Sequence, residues 1–264
     1  TINNDNAWGD TINSKSNIST TLICWATLKY CALDVDCHDI LINCEKWLKR
    51  KIEILDFVHI KKALIKKYGK DKTFSVPILS MLSIALKNNN WGLIPQLPFE
   101  LALLPYKLFK FVNLHVVSYA MPALISIGLL RHKKKRSPVF FLNVMRNKFT
   151  QKLLNKLERL QPASGGFLEA IPLTGFVIMV LYSAGVYNST VTRGLKFLKR
   201  SMNTDGSVPI DADLNIWTTS LSVNALNKSS ATIPKDIKDE IVNSFVKTQF
   251  RTVNVFTNAD PGGW

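Results

Sequence analysis

The chain has 264 residues, 47% hydrophobic and 20% charged, which is apolar material for one large domain or two ordinary ones and excludes a disordered tail. Lys plus Arg number 34 against 19 Asp plus Glu, a net charge of +15. That balance excludes a strongly basic partner and points to nucleic acid or an acidic lipid surface.

The first predicted element follows a polar turn at Trp8-Gly9, where "STTLICWATL" reads as an apolar helix. Cys24, Cys31, Cys37 and Cys44 are spaced like residues on helix faces and lack the tight pairing of a zinc site. They read as buried, reduced thiols. No apolar leader core is visible ahead of them, which favours a cytoplasmic address. "KWLKRK" at 46–51 is basic and helical in pattern.

The middle of the chain is apolar but interrupted. "IPQLPFELALLPYKLFK" carries three prolines, and "FVNLHVVSYAMPALISIGLL" (111–130) carries no charged residue before the basic run "RHKKKR" (131–136). A single span at 111–130 is one reading. Asn113, His115 and Pro122 weaken its apolar character, so an element that dips into a membrane surface, or a buried core helix, fits better. Phe109 and Phe111, with Lys133, Lys134 and Lys135, are the predicted contacts to anionic lipid. The basic run lacks the interleaved aromatics of a nucleic-acid stacking surface, so no nucleic-acid partner is expected.

Beyond 136 the helical period dominates. Phe149, Leu153, Leu157 and Leu160 mark one face of "FTQKLLNKLERLQ", and "STVTRGLKFLKRSM" and "PKDIKDEIVNSFVKTQF" follow the same pattern. Runs of strand-like alternation are scarce, so the fold class is all-α.

A plan recurs along these elements. A basic helix ends at Gln161, Met202 or Gln249; the chain turns at Gly165-Gly166, Asp205-Gly206 or Gly262-Gly263; an apolar residue follows at Phe167, Val208 or Trp264. After the first two turns comes a more apolar helix, "PLTGFVIMVLYSAG" or "DLNIWTTSLSVNAL". The Trp8 turn and its helix have the same shape. Such hairpins stack around a shared core, with the glutamine amide placed to tie helix end to turn.

Gln, a gap, Gly, then an aromatic resembles the QW repeat of the triterpene cyclases. "RGLKFLKRSMNTDGSV" is similar to its longer form through Arg193, Gly194, Phe197 and Leu198, departing at Met202 and Val208. "WGLIPQLPFE", with Trp91, Pro95, Pro98 and Glu100, resembles a motif of squalene-hopene cyclases ahead of their membrane-contacting segment. "LNIWTTSLSVNAL" looks like that family's inner helix bearing a cavity Trp, although Thr218 stands where the family has Asp. The resemblance implies an incomplete α/α-barrel, or toroid, of helical hairpins. Residues 1–203 would form one barrel domain with its membrane-contacting segment around 97–136, and 204–264 would begin a second, catalytic barrel.

It also implies a function. These enzymes protonate squalene or a related isoprenoid and steer the carbocations through ring closure at the cytoplasmic face of a membrane, as peripheral or monotopic proteins, without metal or cofactor. Trp91, Ile171, Pro172 and Trp217 would line the substrate cavity, with Glu169, Asp211 and Asp213 as polar support. The clustered DxDD acid motif of the family is absent from these residues, so no catalytic acid is assigned, and the chain is expected to be a fragment, inactive alone. From the residues themselves, Asp211 and Asp213 read as caps ahead of a helix. A non-catalytic helical toroid that binds a partner is the alternative. Other catalytic signatures are missing: there is no G-x-S-x-G, Walker loop or H-E-x-x-H, and the four histidines have no ligand spacing.

Overall fold

A computed structural model describes residues 2–31, 37–105, 120–230, 232–254 and 259–264. Among the described residues the protein is all-helical, with no strand. Among these residues ten α-helices occur in chain order: α1 Ile18–Cys31, α2 His38–Ile52, α3 Phe57–Tyr68, α4 Lys72–Ala85, α5 Ala120–Lys134, α6 Phe140–Arg159, α7 Ile171–Ser183, α8 Ser189–Arg200, α9 Asn215–Asn227 and α10 Lys235–Thr248. Short 3-10 turns lie at Trp91–Leu93, Phe99–Leu103 and Phe167–Glu169. The residues divide into two compact units. One comprises Thr1–Phe99, Ser126–Lys148 and Met179–Val186; the other comprises Glu100–Ile125, Phe149–Ile178 and Tyr187–Trp264.

Polar side chains set the helix starts. Asn17 Oδ1 accepts the N–H groups of Ser19 and Thr20, each at 3.1 Å. Asp56 accepts from His59 N at 2.8 Å and Asp71 from Thr73 N at 2.7 Å, opening α3 and α4. Asn188 opens α8 by accepting from Val191 N at 3.3 Å. Each bond satisfies a donor that the first helical turn leaves without a partner.

In the first unit α1 packs against both α2 and α4, and α3 packs on α4. Leu22 and Trp25 of α1, Trp47 and Leu48 of α2, Leu64 of α3, and Val76, Leu79 and Leu82 of α4 are buried. The apolar helices α1 and α4 are thus paired with the basic, one-faced helices α2 and α3. In the second unit α8 is the most sharply two-sided element. Thr190, Val191, Gly194 and Phe197 are buried along one stripe while Lys196, Lys199 and Arg200 stay in solvent. The predicted face of α6 is also found: Leu153 and Leu157 are fully buried, with Phe149 and Leu160 half-buried beside them. Helices α9 and α10 bury no residue.

The cysteines depart in part from expectation. All four are free thiols, but only Cys44 is buried and Cys31 is exposed. Helix α1 ends at Cys31, so its side chain leaves the packed face that covers Trp25. Burial pushes the Cys44 thiol up to about 12. No group of three or more His, Cys, Asp or Glu is placed to hold a metal among the described residues. Among the same residues no helix is long and apolar enough to cross a membrane. Residues 111–119 of the apolar run 111–130, Phe111 among them, and Phe109 ahead of it lie outside the described residues; α5 begins at Ala120.

Candidate functional site

The turn between α6 and α7 is where predicted site residues converge. Gln161 follows α6 and is buried. Its amide nitrogen donates to the carbonyl of Gly165 at 2.8 Å and to that of Thr190 at 3.0 Å. One side chain therefore ties the end of α6, the glycine turn and the start of α8. Gly165 has φ +93, and a Cβ there would lie 2.4 Å from the Arg193 carbonyl oxygen. A Cβ on Gly166 would meet the Phe197 ring at 2.5 Å, and one on Gly194 would meet Ile178 at 2.5 Å. Arg193, Gly194 and Phe197, noted in the sequence for their pattern, are the residues of α8 that pack onto the preceding turn. On the outer side, Arg200 donates to the Ser164 carbonyl at 2.7 Å and Arg193 reaches Glu158 at 3.8 Å.

The turn leads into strained backbone. Phe167 is fully buried and its N–H donates to the Thr174 hydroxyl at 2.9 Å. Leu168 and Glu169 follow at φ 54 and 56, two successive non-glycine residues in the left-handed region. Each such residue costs about 1–3 kcal/mol and persists only where its surroundings over-determine it. Here the surroundings are a second turn. Ala212 N donates to the Glu169 carbonyl at 2.9 Å, Ile171 N donates to the Ile210 carbonyl at 3.3 Å, and Ala170 pairs antiparallel with Asp211.

Four predicted site residues, Glu169, Ile171, Asp211 and Asp213, are thus brought to one place. The carboxylates of Glu169 and Asp211 are engaged as acceptors. Ser164 Oγ donates to Glu169, and Asp213 N donates to Asp211 Oδ1 at 3.4 Å. The sequence reading of Asp211 and Asp213 as caps needs correction. Helix α9 starts after Leu214 with no side-chain cap, and Asp211 closes a short turn ahead of it instead. Ile171 is buried, Pro172 is exposed, and Trp217 on α9 is 63% exposed. The arrangement builds a hydrogen-bonded corner between two hairpins.

Trp91 belongs to the other unit and is buried. It borders a depression of about 310 Å³ that also meets Lys87, Asn88, Lys134 and Tyr182. Lys134 is thereby brought beside Trp91. The motif that follows Trp91 is fastened to α5: Arg131 Nε donates to the Ile94 carbonyl at 2.8 Å and Gln96 to that of Gly128 at 3.2 Å. Phe99 packs so closely on Gly128 that a Cβ there would fall 2.4 Å from it. Burial, then the neighbouring Arg146, disfavours the charge on Arg131. Lys133 donates to the Ala184 carbonyl at 2.8 Å, closing the end of α7, while Lys135 is exposed.

No protein-family model matches the chain, and no curated protein matches it. The recurring turns share hydrogen bonds of the same kind. Gln249 donates to the Gly262 carbonyl at 2.8 Å, as Gln161 does to that of Gly165. Trp8 N donates to the Thr21 hydroxyl at 3.0 Å, as Phe167 N does to that of Thr174. Trp47 on α2 is anchored to the turn before α1 through Asp5 at 3.0 Å, as Phe197 packs on Gly166. The threonines and Asp5 were not singled out in the sequence. The only signal for Thr21 and Thr174 is a hydroxyl residue early in an apolar helix that follows a glycine turn.

Proposed function

We propose that this chain is a squalene-hopene-cyclase-like module, an incomplete α/α-barrel of QW-type hairpins. In the intact protein it would help to enclose squalene or a related isoprenoid during proton-initiated polycyclisation. The observation that carries this reading is the double tie from Gln161 to Gly165 and Thr190, with its counterpart at Gln249. It matches the role the repeat requires of its glutamine. Residues 1–203 and 204–264 then belong to successive barrels; Trp91 in one unit, and Ile171, Pro172 and Trp217 in the other, are the residues proposed to face substrate.

The chemistry divides between parts. Protonating an alkene requires a carboxylic acid kept protonated and aimed at the substrate. The carbocations that follow require aromatic faces, each worth about 2 kcal/mol or more when desolvated, and exclusion of water. This chain offers walls and aromatics, and its Asp-x-Asp runs have no further clustered carboxylate. Its own share is to shape and seal the cavity, working at the cytoplasmic face of an anionic membrane. A photoreactive squalene analogue tests the reading. Adducts are expected in the peptides carrying Ile171-Pro172 or Trp217, and labelling confined to surface lysine-rich peptides would sink it. Squalene incubated with the chain should yield no cyclic product; a cyclic triterpene would overturn the assignment of the acid elsewhere.

A further inference from the structure

The basic run at the end of α5 is followed by an apolar tip that the sequence reading passed over. Val139, Phe140, Phe141 and Val144 are all exposed, Phe140 at 80% and Phe141 at 71%. Phe140 and Val144 lie four apart on the first turn of α6, and Phe141 lies three from Val144, so they share one surface. Two phenylalanines held in water at a helix start forgo the gain that burial brings, and a contiguous exposed apolar patch marks a surface that meets something.

The tip is held in place. Asn143 Oδ1 accepts from Ser137 N at 2.9 Å while its Nδ2 donates to the Ser137 carbonyl at 2.8 Å. Val139 N donates to Ser137 Oγ at 3.2 Å. These bonds fix the bend between α5 and α6, so the aromatic pair needs little ordering when it docks. Just ahead of it in the chain come Lys134, Lys135 and Arg136, all exposed. Lys133 differs, since its ammonium is occupied by the Ala184 carbonyl.

We propose that Val139, Phe140, Phe141 and Val144 form a preformed wedge that enters the acyl boundary of an anionic bilayer, with Lys134, Lys135 and Arg136 on its headgroups. The occupant follows from the juxtaposition. An apolar tip that directly follows an exposed basic run matches a surface that is negative outside and oily beneath; another copy of this +15 chain would bring like charge to the same run. The apolar part of the contact lies beyond the 97–136 segment expected from sequence, and its basic part falls within it. It rests on the proposed attachment to a membrane and is independent of cyclase chemistry.

The test is sedimentation of the 264-residue chain with vesicles of phosphatidylcholine containing 30% phosphatidylserine (about that fraction gives a strongly anionic surface). Phe140→Ser with Phe141→Ser should weaken binding at least ~10-fold, because two largely inserted aromatics are lost. The residues are exposed, so helicity by circular dichroism should be unchanged. Lys134→Gln with Lys135→Gln should weaken binding several-fold and flatten its salt dependence. Unchanged vesicle binding by the serine double variant would overturn the wedge. So would a lipid-free dimer that the same variant dissolves, since the tip would then be a protein interface. Squalene photolabelling in detergent is unaffected by either result, so the cyclase reading stands or falls separately.

Discussion

Gln161 and Thr190 are 29 residues apart, and the amide of the first donates to the carbonyl of the second at 3.0 Å inside the second unit. The same nitrogen holds Gly165 at 2.8 Å. A single side chain thus sets the spacing of three segments. Replacing Gln161 by Ala leaves the buried Gly165 carbonyl without this donor, a loss of about 1–3 kcal/mol, and removes the second donor from the Thr190 carbonyl, which also serves the ladder of α8. Loss of about 2–4 kcal/mol is expected, a fall in melting temperature of several degrees by scanning calorimetry. Gln161→Glu should be at least as damaging, because a carboxylate presents lone pairs to both carbonyls.

The two glycine turns give a matched pair of substitutions. Gly165 and Gly262 both have positive φ, at +93 and +104, but only Gly165 is crowded by the Arg193 carbonyl. Gly262→Ala should therefore cost about 1 kcal/mol of backbone strain. Gly165→Ala adds a backbone overlap that α8 has to move to relieve, so it should cost at least twice as much. Equal losses in urea denaturation would contradict this packing.

A pH effect is expected at the first turn. Asp5 is held below the usual carboxylate range, chiefly by the Ser16 hydroxyl, opposed by slight desolvation and reinforced by the Trp47 indole. Its folded-state pKa is depressed, so its stabilisation is complete above the unfolded value near 3.9 and fades as the pH falls through the lower folded value. The Trp47 indole N–H, 3.0 Å from Asp5 Oδ2, reports on it. Its NMR resonance should hold steady from neutral pH to about 4 and shift below that. Asp5→Asn should remove the acid-range shift.

Thiol reactivity should follow position along α1 and α2. Cys31 is exposed, whereas Cys44 is buried and pushed up to about 12, so its thiol stays protonated at pH 8. Maleimide mapping should find Cys31 modified first and Cys44 last, on the order of a hundredfold slower. Comparable rates would mean that α2 does not stay packed on α1.

The primary sequence by itself determined the helical class, the faces of α6 and α8, and the repeated plan of glutamine, glycine turn and apolar residue. These are local properties: a 3.6-residue period and a need for φ > 0 are written in consecutive residues. Even the partner of the glutamine within its own turn could be foreseen, four residues away at Gly165. Tertiary structure alone decided the rest. That Gln161 also reaches Thr190, that Arg193 and Phe197 press on Gly165 and Gly166, and that Glu169 meets Ala212 depend on how separate hairpins lie against each other. The exposure of Phe140 and Phe141 was equally hidden, because in sequence two phenylalanines at a helix start read as core. Whether an apolar residue is covered is settled by what packs over it, and that information is spread over the whole chain.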